Sequence, residues 1–196
     1  RDELQRDRMT SNYTIVSDLP TNMMNGTISV EWAGKDPKSQ TIFPNLEIDE
    51  NFMQVFKTRL ISGRTFSKAY TADSNNYVVN EKALKVMGMN PSNAVGKSLT
   101  LWGKKGMIIG VVKDFNFKPV QQAIEPLILY PSRGNSNYVV VRATGGNIEQ
   151  TIKSLERIDQ QLNPAYPFKY DFIDQDLANL YKGEQQMGSI FNLFAG

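Results

Sequence analysis

The sequence predicts an α+β domain in which two strand–helix–strand units flank a strand-rich middle block. Three observations carry that expectation. Met107-Ile108-Ile109-Gly110-Val111-Val112 is a continuous apolar run, the pattern of a strand buried on both faces. Ile148, Ile152, Leu155, Ile158 and Leu162 recur at helical spacing. Segments 41–66 and 138–172 share the order strand, helix, strand without sharing sequence.

Residues 1–10 read as a polar helical tail. Thr14–Ser17 is a short strand, closed by Asp18-Leu19-Pro20. Ile28, Val30 and Trp32 alternate with polar residues as a half-buried strand. Gln40–Asp49 is the next strand. Pro44 restricts it to an edge or a bulge, because proline brings no N–H to a ladder. A helix starts near Asp49, where Asp49 and Glu50 suit its dipole, and Phe52, Val55 and Phe56 form its buried face. Residues 68–76 read as a polar loop.

Tyr77–Val79 is a strand running directly into a helix. Asn80 is the N-cap, and Ala83, Leu84 and Met87 are the buried face. Gly88 ends the helix, with Asn90-Pro91 beyond. Ser98–Trp102 and the Met107 run form a hairpin over a four-residue connection, Gly103–Gly106. Leu127–Tyr130 and Tyr138–Arg142 are further strands. Asn147 caps the helix of the Ile148 stripe, Gln150 completes a capping box, and Asn163-Pro164 stops it. Phe168, Tyr170 and Phe172 alternate as the last strand. Asp174 caps a final helix bearing Leu177, Leu180, Tyr181, Met187, Phe191 and Phe194.

The chain has 196 residues, 40% of them hydrophobic, enough for a core. Its formal charge is +2, with lysines and arginines scattered among carboxylates, so nothing points to nucleic acid. There is no cysteine and no histidine. That excludes thiolate and imidazole zinc sites, Ser-His and Cys-His catalysis, and disulfides. No window holds the roughly 18 apolar residues of a membrane-spanning helix. The sequence begins within a charged run, Arg1–Arg8, and stops within a hydrophobic one, Ile190–Gly196, so a piece of a longer chain is expected.

Asp114 ends the Met107 strand, where a general base would sit. With no histidine to pair with, it reads instead as a turn aspartate bonding nearby N–H groups. Asp171, Asp174 and Asp176 lack the glycine and terminal glutamate of a calcium loop and read as capping and solvated carboxylates. Ser62-Gly63-Arg64-Thr65 and Gly103-Lys104-Lys105-Gly106 do not match a phosphate loop. The first reads as a turn with a positioning arginine. Trp32 and Trp102 read as packing anchors. Trp102, beside an exposed hairpin tip, is also a candidate contact for a partner or substrate. Met23 and Met24, an apolar pair in a polar loop, are the other candidate contacts. No catalytic, cofactor or metal residue is assigned.

Four short motifs stand in order. They are Gly63-Arg64-Thr65-Phe66, Val78-Val79-Asn80-Glu81 leading to Ala83, Val95-Gly96-Lys97 leading to Leu99, and Ile109-Gly110-Val111-Val112-Lys113-Asp114-Phe115. Together they resemble the periplasmic core domain of MacB-like, FtsX-like ABC transporter permeases, strongly over Asp49–Pro131. The Lys113-Asp114-Phe115 variant looks most like permeases of Bacteroidetes type.

The resemblance implies a porter-like split β-α-β subdomain built from both chain ends, residues 1–70 and 134–196, each carrying a stalk. A mostly β, Sabre-like subdomain, residues 71–133, would be inserted between them. It implies a non-catalytic domain without cofactor on the periplasmic face of the bacterial inner membrane, anchored by flanking transmembrane helices of the same chain. A cytoplasmic ABC ATPase would supply the motion, in a transporter expected to be dimeric. An envelope adaptor, an outer-membrane duct or a cell-wall hydrolase would receive it. Leu180, Phe191 and Phe194 would then be partly exposed on a stalk. The alternative is a stand-alone periplasmic module that binds peptide or lipid.

Overall fold

The computed structural model describes Leu4, residues 12–19, Thr21, Met23, and residues 25–115, 123–132, 134, 137–143 and 148–175. Among these lie strands β1 (Tyr13–Val16), β2 (Gly26–Thr27), β3 (Val30–Trp32), β4 (Phe43–Ile48) and β5 (Leu60–Gly63). They continue as β6 (Tyr77–Asn80), β7 (Ser98–Leu101), β8 (Lys104–Val112), β9 (Ile128–Pro131) and β10 (Tyr138–Val141). The helices are α1 (Phe52–Phe56), α2 (Glu81–Met87), α3 (Pro91–Ala94) and α4 (Ile148–Leu162). A 3-10 turn, Thr71–Asn75, lies in the stretch that reads as loop.

The strands form one mixed sheet in the order β10-β1-β4-β9-β6-β8-β7-β3, with β2 on β4 and β5 on β8. β9 sits near its middle, parallel to β4 and antiparallel to β6. Alternation, shifted by one residue at an irregularity in β8, splits the central strands between two cores. Val79, Ile108, Val111 and Ile128 face one core with Phe43, Leu84 and Leu101. Val78, Ile109, Val112 and Leu129 face the other with Leu46, Phe52 and Phe66. The Met107 run is therefore covered on both faces from Ile108 onward, as its composition predicts.

Local signals are obeyed at α2. Asn80 accepts the N–H of Ala83 at 2.9 Å, and Gly88 closes the helix in the left-handed region. Asn90-Pro91 does more than follow it. Asn90 caps a second short helix, α3, and Pro91 occupies its first turn, where no N–H is needed.

Several expectations are corrected. β4 is an interior strand with all six residues buried, not an edge. Pro44 is tolerated because the ladder to β9 begins one residue later, at Asn45, whose own N–H goes the other way to the Asn25 carbonyl at 3.1 Å. Asp49 is no dipole ornament. It is buried and accepts from Thr14 Oγ1, from Ile15 N–H at 3.1 Å and from Asn51 N–H at 3.1 Å, tying α1 to β1. Ile28 lies outside β3 and is exposed. The β7–β8 hairpin closes over two residues, Trp102 and Gly103, because Leu101 pairs with Lys104. Residues 168–172 form no strand. Their rings stack along their own segment instead, Phe168 on Tyr170 at 5.7 Å and Tyr170 on Phe172 at 5.6 Å.

α4 touches the sheet through a small third core of Leu4, Tyr13 and Ile158. At the ends of its apolar stripe, Ile148 is 51% and Leu162 61% exposed. Asn147, the expected cap of α4, and residues 176–196, with the rest of the expected final helix and its stalk, lie outside the described residues. Residues 173–175 are helical, so Asp174 falls inside that first turn instead of capping it.

Candidate contact surface at the hairpin end

The motif residues are taken up in packing. Gly63 has φ +73°, and a Cβ there would meet the Ile109 carbonyl oxygen at 2.2 Å. A Cβ on its register partner Gly110 would likewise meet the Arg64 carbonyl oxygen, at 2.1 Å. The two glycines let β5 and the Arg64 turn press onto β8. Arg64 then spends its guanidinium on a two-pronged pair with Asp73, at 2.5 and 2.8 Å, while stacking over Tyr70 at 4.1 Å. The hydrogen bond from Arg64 holds the Asp73 carboxyl below the usual carboxylate range, with Asn76 adding a second bond. Asn76 in turn accepts from Met107 N–H at 3.0 Å. The positioning role read for Arg64 is thus filled by Asp73. That partner was not legible, because a carboxylate nine residues away in a polar run leaves no local signature.

Asn80 makes three side-chain hydrogen bonds in the middle block. Beyond its cap bond, its Oδ1 accepts from Leu127 N–H at 2.8 Å and its Nδ2 donates to the Glu125 carbonyl at 2.8 Å. Asp114 is a second, distant cap of the same helix. Its Oδ1 accepts from Lys82 N–H at 2.9 Å, and its own N–H donates to Glu81 Oε2 at 3.1 Å. Phe115 follows onto the ring of Phe52, 6.4 Å away. Asp114 is thus engaged by a backbone donor 32 residues away, a long-range helix cap rather than the local turn bond expected of it. Among the described residues, no group of three carboxylates is arranged to hold a metal ion.

The candidate contacts part company. Met23 is half-buried against the core that contains Phe52 and Phe66. Met24 lies outside the described residues. Trp102 stands at the far end of the sheet, 45% exposed, with its ring edge-on to Tyr130 at 5.6 Å. Its N–H donates to the Ser29 carbonyl at 3.0 Å, which fixes the hairpin end against the 28–29 loop.

Trp102 has φ +49° and Gly103 φ +74°. Positive φ at both positions is the type I′ hairpin turn, whose first position normally holds asparagine, aspartate or glycine. A bulky residue there costs about 1 kcal/mol. Ile28, next to Ser29, is 52% exposed. Trp32 rests edge-on against Phe43 at 5.7 Å, with the Lys35 ammonium 5.5 Å over its ring. Lys35 pairs with Glu31 at 2.9 Å. Lys104 and Lys105, which directly follow the tip, are exposed, and neither makes an ion pair among the described residues.

The sequence matches no protein-family model and no curated protein. In structure it is similar to the extracellular domain of the noncanonic ABC-type transporter YknZ from Gram-positive bacteria. The identity is 17% and the TM-score 0.61, over 84% of this chain and 82% of that one. It is likewise similar to the periplasmic region of MacB from Actinobacillus actinomycetemcomitans. There the identity is 17% and the TM-score 0.63, over 92% of this chain and 80% of that one. The chain therefore has the α+β fold of the MacB and YknZ extracytoplasmic domains.

Proposed function

We propose that this chain is the extracytoplasmic domain of an ABC transporter permease, and that it passes ATP-driven motion to an exported substrate or an envelope partner. The observation that carries the reading is the fold likeness, which spans most of this chain and most of both transporter domains. The residues agree with a non-catalytic role. The chain has neither histidine nor cysteine, and Arg64 and Asp114 are engaged in holding the fold.

In this reading the domain sits on the periplasmic face of the bacterial inner membrane, anchored by transmembrane helices of the same chain and driven by a cytoplasmic ATPase. Residues 1–70 and 134–196 form the porter-like part and 71–133 the Sabre-like insertion. The sheet order supports that division, since β10, β1 and β4 lie together and β6, β8 and β7 lie together, with β9 between the groups. β3 and β5 cross from the first segment onto β7 and β8 of the second group, so the boundary runs through the sheet.

Fractionation of cells expressing the full-length gene product tests the reading. The product should travel with the inner membrane, and this domain should be cleaved by protease added to spheroplasts, from which the outer membrane has been stripped. A second reading, a stand-alone binding module, draws support from the exposed aromatic end at Trp102. Recovery of the intact product from the soluble periplasmic fraction would select it and sink the first.

A further inference from the structure

We propose that the Trp102 hairpin end docks an acidic peptide segment of a protein partner, with Trp102 as the apolar anchor and Lys104 and Lys105 as the charged rim. The anchor is argued from its backbone. Trp102 holds a left-handed turn position that asparagine would fill with less strain, and its ring remains 45% exposed. Tryptophan is the residue most enriched where binding energy concentrates. Ile28, next to the Ser29 that bonds Trp102, adds exposed apolar surface, and the bond to Ser29 and the edge contact with Tyr130 brace the end. A fixed shape lowers the entropy that docking must overcome.

The rim selects the partner's charge. Lys104 and Lys105 have no carboxylate partner among the described residues, and Glu31, the nearby acid, is already paired with Lys35. A segment with carboxylates beside an apolar side chain supplies both complements. A lipid surface shares this chemistry in part. Two lysines, however, fall short of the roughly four to eight basic residues that hold a segment at an anionic leaflet.

The inference rests on the permease reading only in placing the partner in the envelope. A titration on this chain and the fractionation of the full-length product can therefore fail independently. The probe is a synthetic Glu-Leu repeat peptide, and the reporter is a Trp32→Phe variant in which Trp102 is the lone tryptophan. The peptide should shift Trp102 emission to the blue in a saturable way. The affinity should fall about tenfold in K104E/K105E and weaken with added salt. Trp102→Asn suits the turn and should keep the far-ultraviolet circular dichroism, yet it should lose binding of fluorescently labelled peptide. Any of four results overturns the proposal: no shift, equal affinity for a Lys-Leu repeat, undiminished binding by folded Trp102→Asn or K104E/K105E, or a response confined to phosphatidylglycerol vesicles.

Discussion

The middle block and α4 are built from equally clear hydrophobic patterns, and they are used differently. In the middle block, β6, β8 and β9 bury both faces, and their turns are held by backbone contact and by capping side chains. In α4, five apolar residues form a stripe, yet Ile158 alone of the five is buried. A stripe records that a helix can be amphipathic. It does not record how much of it a neighbour covers, because coverage depends on chain far away in sequence.

That contrast can be broken by mutation, most severely at the glycines. Gly110→Ala would place a methyl group 2.1 Å from the Arg64 carbonyl oxygen, a backbone atom that cannot swing aside. A loss of about 3 kcal/mol or more is expected, read as a lower urea midpoint. An unchanged midpoint would mean that β5 is not pressed onto β8.

Asp73→Asn tests the same turn by pH. The Asp73 carboxyl is held below the ordinary range chiefly by Arg64, so its contribution is complete above the unfolded-state value. It is lost as pH falls through the depressed folded-state value, below about pH 4. Near neutral pH the variant should cost about 1 kcal/mol, kept small because Arg64 is 38% exposed. Its stability should also fall less steeply in acid than that of the parent. Matching acid limbs would rule out the pair as their source.

Asp114→Ala removes a cap supplied from 32 residues away. The loss should be about 1 kcal/mol, as for a local cap. A rate assay, were an activity found, should be indifferent to it. The smallest effect belongs to α4: Leu162→Lys should change the melting midpoint by an amount equivalent to about 0.5 kcal/mol or less. A large drop there would show the stripe to be covered after all and erase the comparison.

Sequence carried the features whose causes are local. Asn80 as a cap, Gly88 as a terminator and the doubly buried β8 follow from propensity and period, and the structure holds all three. Features set by a partner were hidden. Phe168, Tyr170 and Phe172 have strand alternation, but a strand exists only where another backbone takes its hydrogen bonds. Pro44 forecast an edge, yet only one N–H is missing, and it falls just before the ladder to β9 begins. Gly103–Gly106 has loop composition, but the pairing of Leu101 with Lys104 draws both lysines into β8 and leaves the turn to Trp102. At the candidate surface, composition marked Trp102 as worth attention, whereas its left-handed backbone and the exposure of Ile28 depend on how the turn folds.

The place of β9 governs how the chain reaches this fold. β9 aligns parallel with β4, and Ser132 at its end bonds Glu47 across 85 residues of sequence. The β7–β8 hairpin can form within microseconds, because its halves are adjacent. The β4–β9 ladder must wait for a long loop to close, a step whose entropic cost precedes any reward. The β4–β9 pairing is therefore expected to follow the hairpin, and during synthesis β4 leaves the ribosome well before the strand that completes it.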